Sequence, residues 1–107
     1  SASNAFIVSK AGTLLTHPLD ENILGGITRD VVLKLARKAG ISAEEKAFSI
    51  SDAKNAAEAF ITSTSINVLP VVKIDDKLVG GGKVGEVTKK LGELYNAHIL
   101  KQTGKVI

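Results

Sequence analysis

Cysteine is absent from this chain of 107 residues, and aromatic residues make up only 4% of it. Without cysteine neither a disulfide nor a thiolate metal site can form, which leaves the redox compartment open, and we expect a cytoplasmic protein. The lysines are spread along the sequence, and the net charge is only +3. Because nucleic-acid-binding domains concentrate Lys and Arg and often interleave aromatic residues, this composition predicts no nucleic-acid partner.

Long hydrophobic runs are also missing. No apolar run approaches the length of a bilayer span, and the N-terminus lacks the basic and apolar segments of a secretory signal, so we expect no membrane partner. The length fits one domain. The first residue is not Met, and the strand-like Phe6-Ile7-Val8 follows almost at once, which suggests a start inside a larger fold.

Strand-like and helix-like segments interleave, which predicts an α/β domain without internal repeats. The first half is expected to contain a hairpin of strands 6–8 and 12–16, a loop over 17–22, a helix over 27–39 that Gly40 ends, and a strand over 46–50. The second half is expected to contain a short helix over 53–57 with Ser51 as its N-cap and Asp52 as a first-turn acid, a strand over 60–63, a hairpin of 68–74 and 77–79, and an amphipathic helix over 84–98. Pro70 indicates that its strand lies at an edge or a bulge.

The segment Gly80-Gly81-Gly82-Lys83-Val84-Gly85 matches the G-x-G-x-x-G pattern of dinucleotide-binding proteins. Its context opposes that function, because the preceding strand is half of a short hairpin and no parallel strand with an acidic residue follows the helix. A Walker A loop is excluded, since Lys83 is followed by Val84 instead of Ser or Thr.

Histidines and carboxylates give no convincing catalytic or metal site. His17 precedes a proline in a turn, and His98 continues the apolar side of the last helix, where it is expected to pack. The acidic pairs Asp20-Glu21 and Asp75-Asp76 both lie in predicted turns, where Asp commonly binds the backbone. We therefore predict no catalytic residue and no metal ligand from these groups.

The stretch Ile23-Leu24-Gly25-Gly26-Ile27-Thr28-Arg29-Asp30 places two glycines and a threonine at the start of the first long helix. A Gly-Gly pair can simply be a turn between elements. Alternatively, the missing side chains let a phosphate approach the free N–H groups of the helix start, aided by the Thr28 hydroxyl. The local sequence leaves both interpretations open.

A run of hydroxyl residues, Thr62-Ser63-Thr64-Ser65, closes the predicted strand over 60–63. One interpretation is a loop of small polar residues that bind their own backbone. The other is a second set of hydroxyl and backbone donors for the same phosphate that Gly26, Ile27 and Thr28 would bind.

Three segments together, ILGGITRDVV, TSTSINVLPVVKIDDKLV and GGKVGEVTKKL, in this order, resemble the C-terminal half of the class IV (fold-type IV) pyridoxal-phosphate aminotransferases. The opening Ser1-Ala2-Ser3-Asn4 resembles the S-x-S-N segment of that family. The resemblance covers essentially the whole chain and is strongest to the D-amino-acid aminotransferase branch. It implies an α/β domain with a mixed sheet, the barrel-like C-terminal domain of such enzymes, over residues 1–107.

The resemblance also implies roles for individual residues toward pyridoxal 5'-phosphate. Leu24 would pack on one face of the pyridine ring. The phosphate would sit on the helix start, and a second turn would complete its site; the residues implied for these two segments are Gly26, Ile27, Thr28, Ser63 and Thr64.

Other residues of the family's active site precede the S-x-S-N segment. They include the Schiff-base lysine, an arginine on the phosphate and the acid that faces the pyridine nitrogen, so we expect none of them in this chain. The resemblance therefore implies a fragment that is inactive alone and that would need the missing N-terminal domain. It also implies a homo-oligomer acting on small amino acids and 2-oxo acids.

Alternatives remain within and outside the family. A branched-chain aminotransferase usually has a Gly-Thr-Gly-Thr-Ala-like turn at positions 62–65, and an aminodeoxychorismate lyase usually has an asparagine there. The hydroxyl-rich turn of this chain favours the D-amino-acid branch. A non-catalytic module that binds a small phosphorylated ligand would use the same donors.

Overall fold

The computed structural model describes residues 3–21, 23 and 25–103. The elements run in the order β1 (Asn4–Val8), β2 (Leu14–Thr16), α1 (Ile27–Lys38), β3 (Ala43–Glu45), α2 (Ile50–Lys54), β4 (Glu58–Ser63), β5 (Asn67–Pro70), β6 (Lys73–Ile74), β7 (Lys77–Leu78) and α3 (Glu86–Thr103). A short 3-10 turn, Gly80–Gly82, lies between β7 and α3.

Five of these strands form one mixed sheet in the order β3-β2-β1-β4-β5. Its neighbours pair antiparallel, except that β2 and β3 are parallel. Strands β6 and β7 form a separate antiparallel hairpin. The predicted α/β class with a mixed sheet is confirmed, and so is the first hairpin.

One end of the sheet is defined by Thr16 and is called the Thr16 end below. Thr16 is the last residue of β2, and it pairs with Phe6 of β1 and with Glu45 at the end of β3. Strand β4 finishes at the same end, where Ser63 pairs with Asn67 at the start of β5. Because α1 connects two parallel strands, it runs back along them and begins at the Thr16 end.

The two faces of the sheet are covered by different elements, because side chains alternate along each strand. Helices α1 and α3 pack on one face, where the Phe6 and Phe60 rings stack with centroids 4.8 Å apart. Helix α2 and the β6–β7 hairpin cover part of the other face, around Ile7 and Ala59.

The strand predicted over 46–50 is wrong. Strand β3 lies just before that segment and is an edge strand with exposed glutamates, so its backbone pairing with β2, rather than side-chain propensity, decides its place. The chain then leaves the sheet, and Phe48 packs against the apolar cluster that includes Ala53 of α2. The rings of Phe48 and His17 are in contact, with centroids 4.4 Å apart.

The short helix predicted over 53–57 is displaced toward the N-terminus. It runs Ile50–Lys54, and its N-cap is Ser49 instead of the predicted Ser51. Asp52 is in its first turn, as predicted.

Two other boundaries differ from prediction. The strand predicted over 68–74 divides into β5 and β6, and Pro70 ends β5 at the edge of the sheet, as its missing N–H requires. The long helix begins at Glu86 rather than at position 84. The predicted helix over 27–39 is found as α1, with Gly40 just beyond it at φ +80°.

Packing explains the glycine-rich segment before α3. A Cβ at Gly80, which has φ +60°, would lie 2.5 Å from the Ala57 carbonyl oxygen. A Cβ at Gly85 would overlap the side chain of Glu58. Strand β7, which precedes the G-x-G-x-x-G pattern, is half of a short antiparallel hairpin, as the sequence predicted.

Candidate functional site

Helix α1 starts without a side-chain cap from its own N-cap residue. Gly26 occupies that position in an extended conformation, with φ −95° and ψ 149°. The first amides of an α-helix have no carbonyl partner within the helix, and they carry the positive end of its dipole. The start of α1 therefore presents donors to an anion.

Thr28, in the first turn of α1, points into the interior. Its side chain is only 1% exposed, and its hydroxyl lies 3.2 Å from the hydroxyl of Tyr95, which is 5% exposed. The Thr28 hydroxyl thus lies where the first turn of α1 packs against α3.

The hydroxyl run after β4 forms a tight turn. The Ser63 Oγ accepts a hydrogen bond from the Ile66 amide and lies 3.1 Å from Ser65 Oγ. Thr64 is exposed at the tip of this turn, and Asn67 follows with φ +59°. Ser63 therefore orders the turn, and Thr64 is accessible to a ligand.

The fold brings most of the sequence-predicted site residues to one region. The N-terminus of α1 (Gly26, Ile27, Thr28) and the turn with Ser63 and Thr64 both lie at the Thr16 end of the sheet. Leu24 lies outside the described residues. The assignment of these residues to a cofactor stays a prediction.

Buried polar side chains concentrate at the same end. They come from three strands, β1, β2 and β4, and from the start of α1, whereas Thr88 is a buried polar residue elsewhere; the members at the Thr16 end are Asn4, Thr16, Thr28, Arg29, Thr62 and Ser63. The hydroxyl of Thr62 is fully buried and has no partner among the described residues. Because the burial of polar groups costs stability unless each is paired, a concentration of them is typical of a place where function constrains the sequence.

Arg29 lies in the first turn of α1, close to the candidate site, and was not predicted from the sequence. Its guanidinium is buried and donates to the His17 carbonyl at 3.0 Å and to Glu45 Oε1 at 2.6 Å, and it also contacts Asp30. It thereby ties the loop that follows β2 to the end of β3. The hydrogen bond from Arg29 holds the pKa of Glu45 below its usual range. Helical spacing to buried Val32 could have indicated that Arg29 is buried.

Large apolar side chains are exposed around the same end. Ile27 is 73% exposed at the start of α1. Three other large apolar side chains are also exposed: Leu19 in the loop after β2, Ile66 in the turn after β4, and Leu69 in β5. Groups of exposed apolar side chains are typical of interaction surfaces.

The histidines and acidic residues that were considered as catalytic or metal-binding candidates make packing or turn contacts. The His17 ring contacts Phe48, and the His98 ring lies 6.5 Å from that of Tyr95. Asp20 accepts a hydrogen bond from the Ile23 amide, and Asp75 occupies a positive-φ turn position. Among the described residues no cluster of three or more potential metal ligands occurs.

Membrane-spanning character is also absent from the described helices, none of which combines the necessary length and hydropathy. A cavity of about 510 Å³ lies between the C-terminal halves of α1 and α3, lined by Leu35, Ala39, Leu94 and His98 among others. It is separate from the start of α1 and contains none of the predicted site residues.

Comparison with known proteins identifies the family. The family model of class IV amino-transferases matches residues 1–74. The chain is 43% identical to a D-alanine aminotransferase of Staphylococcus haemolyticus, over 92% of this chain and 35% of that protein. It is 45% identical to a putative branched-chain-amino-acid aminotransferase of Methanocaldococcus jannaschii, over 89% of this chain and 33% of that protein.

The fold of this chain also matches that of a solved aminotransferase structure. The branched-chain amino acid aminotransferase of T.th., complexed with N-(5'-phosphopyridoxyl)-L-glutamate, superposes with a TM-score of 0.85 at 31% identity, covering 96% of this chain and 33% of that one. The chain thus spans about a third of the length of the relatives it matches. The predicted resemblance is confirmed: the chain belongs to the class IV aminotransferase family.

Proposed function

We propose that this chain is the C-terminal domain of a D-amino-acid aminotransferase and that it binds the phosphate of pyridoxal 5'-phosphate. The start of α1, with Gly26, Ile27 and Thr28, and the turn with Ser63 and Thr64 would form a phosphate cup. The observation that carries this proposal is that an uncapped helix start and a hydroxyl turn lie at the same end of the sheet, together with a group of buried polar side chains.

The residues of the cup fit a phosphate ester. Both segments offer amide and hydroxyl donors, and neither contains a carboxylate within residues 25–28 or 62–66. The acid that follows in the first turn of α1, Asp30, forms an ion pair with Arg29. The dipole of the 12-residue helix α1 adds a favourable field at its N-terminus.

When bound, pyridoxal phosphate carries the amino group between the amino acid and the 2-oxo acid. The part of this chain is to anchor the phosphate, and Leu24 is proposed to pack against one face of the ring. The catalytic lysine would come from the N-terminal domain, so no catalytic residue is assigned here. The cytoplasmic location stays a prediction.

The exposed apolar residues at the Thr16 end support a binding partner, which we propose to be the N-terminal domain of the same enzyme. Ile27, Leu19, Ile66 and Leu69 would be covered when that domain closes over the cofactor. Homo-oligomer formation by the whole enzyme is part of the same proposal. Small amino acids and 2-oxo acids would then bind between the two domains.

A branched-chain aminotransferase is the second candidate, because identity to the Methanocaldococcus jannaschii relative is as high as identity to the D-alanine enzyme. The run Thr62-Ser63-Thr64-Ser65 favours the D-amino-acid branch over it. An assay of the whole enzyme that carries this chain separates the two. Faster amino transfer from D-alanine than from L-branched amino acids supports the proposal, and the reverse order replaces it with the second candidate.

Titration of the chain with inorganic phosphate tests the cup itself. We expect weak binding that shifts the amide resonances of Ile27 and Thr28. Thr28→Val and Thr64→Ala should each weaken affinity by about tenfold, the typical effect of losing a hydrogen bond to a charged group. Thr13→Ala, in the hairpin turn at the other end of the sheet, is the matched control and should not change it. Unchanged affinity in both cup variants would remove these residues from the site.

A further inference from the structure

Among the described residues, the hydroxyl of Tyr95 forms its hydrogen-bond contact with the hydroxyl of Thr28, at 3.2 Å. Both side chains are buried, and the Tyr95 ring lies in the apolar cluster with Phe6, Phe60 and Leu91. A phenylalanine would satisfy that cluster equally well. The Tyr95 hydroxyl is therefore explained by its contact with Thr28, since a buried hydroxyl without a partner costs stability.

The number of protons in this pair fixes its direction when an anion is bound. A threonine hydroxyl has one proton to donate and two lone pairs that accept. A phosphate dianion can only accept, so a Thr28 hydroxyl that binds it must use its single proton for that bond. The Tyr95 hydroxyl must then donate to Thr28 Oγ1. A chain of this kind, from Tyr95 to Thr28 to the anion, strengthens each bond by polarisation.

Burial makes this direction important. Thr28 is only 1% exposed, and Tyr95 is the partner that the structure gives its hydroxyl, so the tyrosine decides where the hydroxyl proton points. We infer that Tyr95 is a positioning residue of the phosphate cup: its hydroxyl directs the Thr28 proton toward the phosphate without touching the phosphate itself. This inference rests on the proposed function, and it gives α3 a part in a site whose predicted residues all lie elsewhere.

A double-mutant cycle with inorganic phosphate as the probe tests the inference. The affinity of the 107-residue chain is measured by amide chemical shifts for the wild type, Tyr95→Phe, Thr28→Val and the double variant. Tyr95→Phe keeps the ring and removes one hydroxyl, and it should weaken phosphate binding by about threefold to tenfold when Thr28 is present. In the Thr28→Val background the same change should have no effect, because no hydroxyl remains to be directed.

A matched control separates positioning from general loss of stability. Thr88, also buried on α3, donates its hydroxyl to Glu58 at 2.7 Å at the start of the helix. Thr88→Val should lower the melting temperature and leave phosphate affinity unchanged. The amide spectrum of Tyr95→Phe should stay that of a folded chain.

Three outcomes would overturn the inference in distinguishable ways. Equal weakening by Tyr95→Phe in both backgrounds would make Tyr95 a structural residue only. No weakening in either background, with Thr28→Val still weakening binding, would exclude Tyr95 and leave the phosphate cup intact. No effect of Thr28→Val would remove the Thr28 hydroxyl from the cup, and the inference would fail with that part of the proposed function.

Discussion

The start of α1 differs from the starts of α2 and α3. At α2, Ser49 Oγ accepts from the Asp52 amide at 3.0 Å, and the Asp52 carboxylate accepts from the Ser49 amide at 2.9 Å. At α3, the carboxylate of Glu58 accepts from the amides of Val87 and Thr88 at 3.1 and 2.7 Å. At α1, the N-cap is Gly26, which has no side chain to offer.

The difference shows where backbone amides are left without a side-chain acceptor and are therefore available to a ligand. A good side-chain cap contributes about 1 kcal/mol to a helix, and a glycine contributes less. The chain caps one short helix locally and a long one from a distant strand, so suitable side chains are available to it. The bare start of α1 fits a site at which a ligand supplies the missing acceptors.

The largest expected effect is on α3. Glu58→Ala removes the acceptor of two amides and of the Thr88 hydroxyl, so the free energy of unfolding should fall by about 2 kcal/mol or more. Denaturant unfolding measures this change. Glu44→Ala, on exposed edge strand β3, should stay within about 0.5 kcal/mol of the wild type. Equal stability of the two variants would show that α3 does not need this cap.

A smaller effect is expected at α2. Ser49→Ala removes the cap hydroxyl and should lower the free energy of unfolding by about 1 kcal/mol. Ser51→Ala, at the position that the sequence alone suggested as the cap, should have almost no effect. The pair of variants, compared by thermal unfolding, checks the corrected start of this helix. A larger loss for Ser51→Ala would restore the original boundary.

The smallest effect concerns the contact that holds the start of α1 in place. The hydrogen bond and charge of Arg29 lower the pKa of Glu45 from its ordinary value of 4.5. A carboxyl whose pKa is lower in the folded state stabilises the fold above its unfolded pKa, and this contribution is lost as the pH falls through the folded pKa. The effect should be small because the Glu45 side chain is 42% exposed.

Melting temperatures measured from neutral pH down to about pH 3 test this contribution. Glu45→Gln should be less stable than the wild type at neutral pH, and the difference should shrink in acid. Glu44→Gln, one residue away and without this partner, should follow the wild type throughout. A constant difference between Glu45→Gln and the wild type across the pH range would contradict the assignment.

Periodicity predicted the parts of the fold that are decided locally. The apolar spacing over 27–39 with Gly40 gave α1, and the Asp75-Asp76 turn gave the second hairpin. Strand β3 could not be predicted, because Glu44 and Glu45 have little strand preference and are fixed only by pairing with β2. Phe48 was predicted to lie in a strand, but it is partly buried by tertiary packing outside the sheet. Such packing cannot be predicted from the local sequence.

The candidate site was predictable only in outline. Gly26, Thr28 and the hydroxyl turn stood out as residue types and through the family resemblance. The contacts of Arg29 with Glu45, of Tyr95 with Thr28 and of Glu58 with α3 join residues that are 16, 67 and up to 30 positions apart. No local pattern encodes such pairs, since each depends on how the sheet brings distant segments together.

Phosphate binding by Gly26→Asp tests the central claim most directly. An aspartate there would cap α1, stabilise the chain by a few tenths of a kcal/mol and occupy the amides with its own carboxylate. Ala11→Asp, in the exposed first hairpin turn, adds the same charge away from the helix as a control. We expect Gly26→Asp to weaken inorganic phosphate binding at least about tenfold and Ala11→Asp to leave it unchanged. Equal phosphate affinity in the wild type and Gly26→Asp would contradict it.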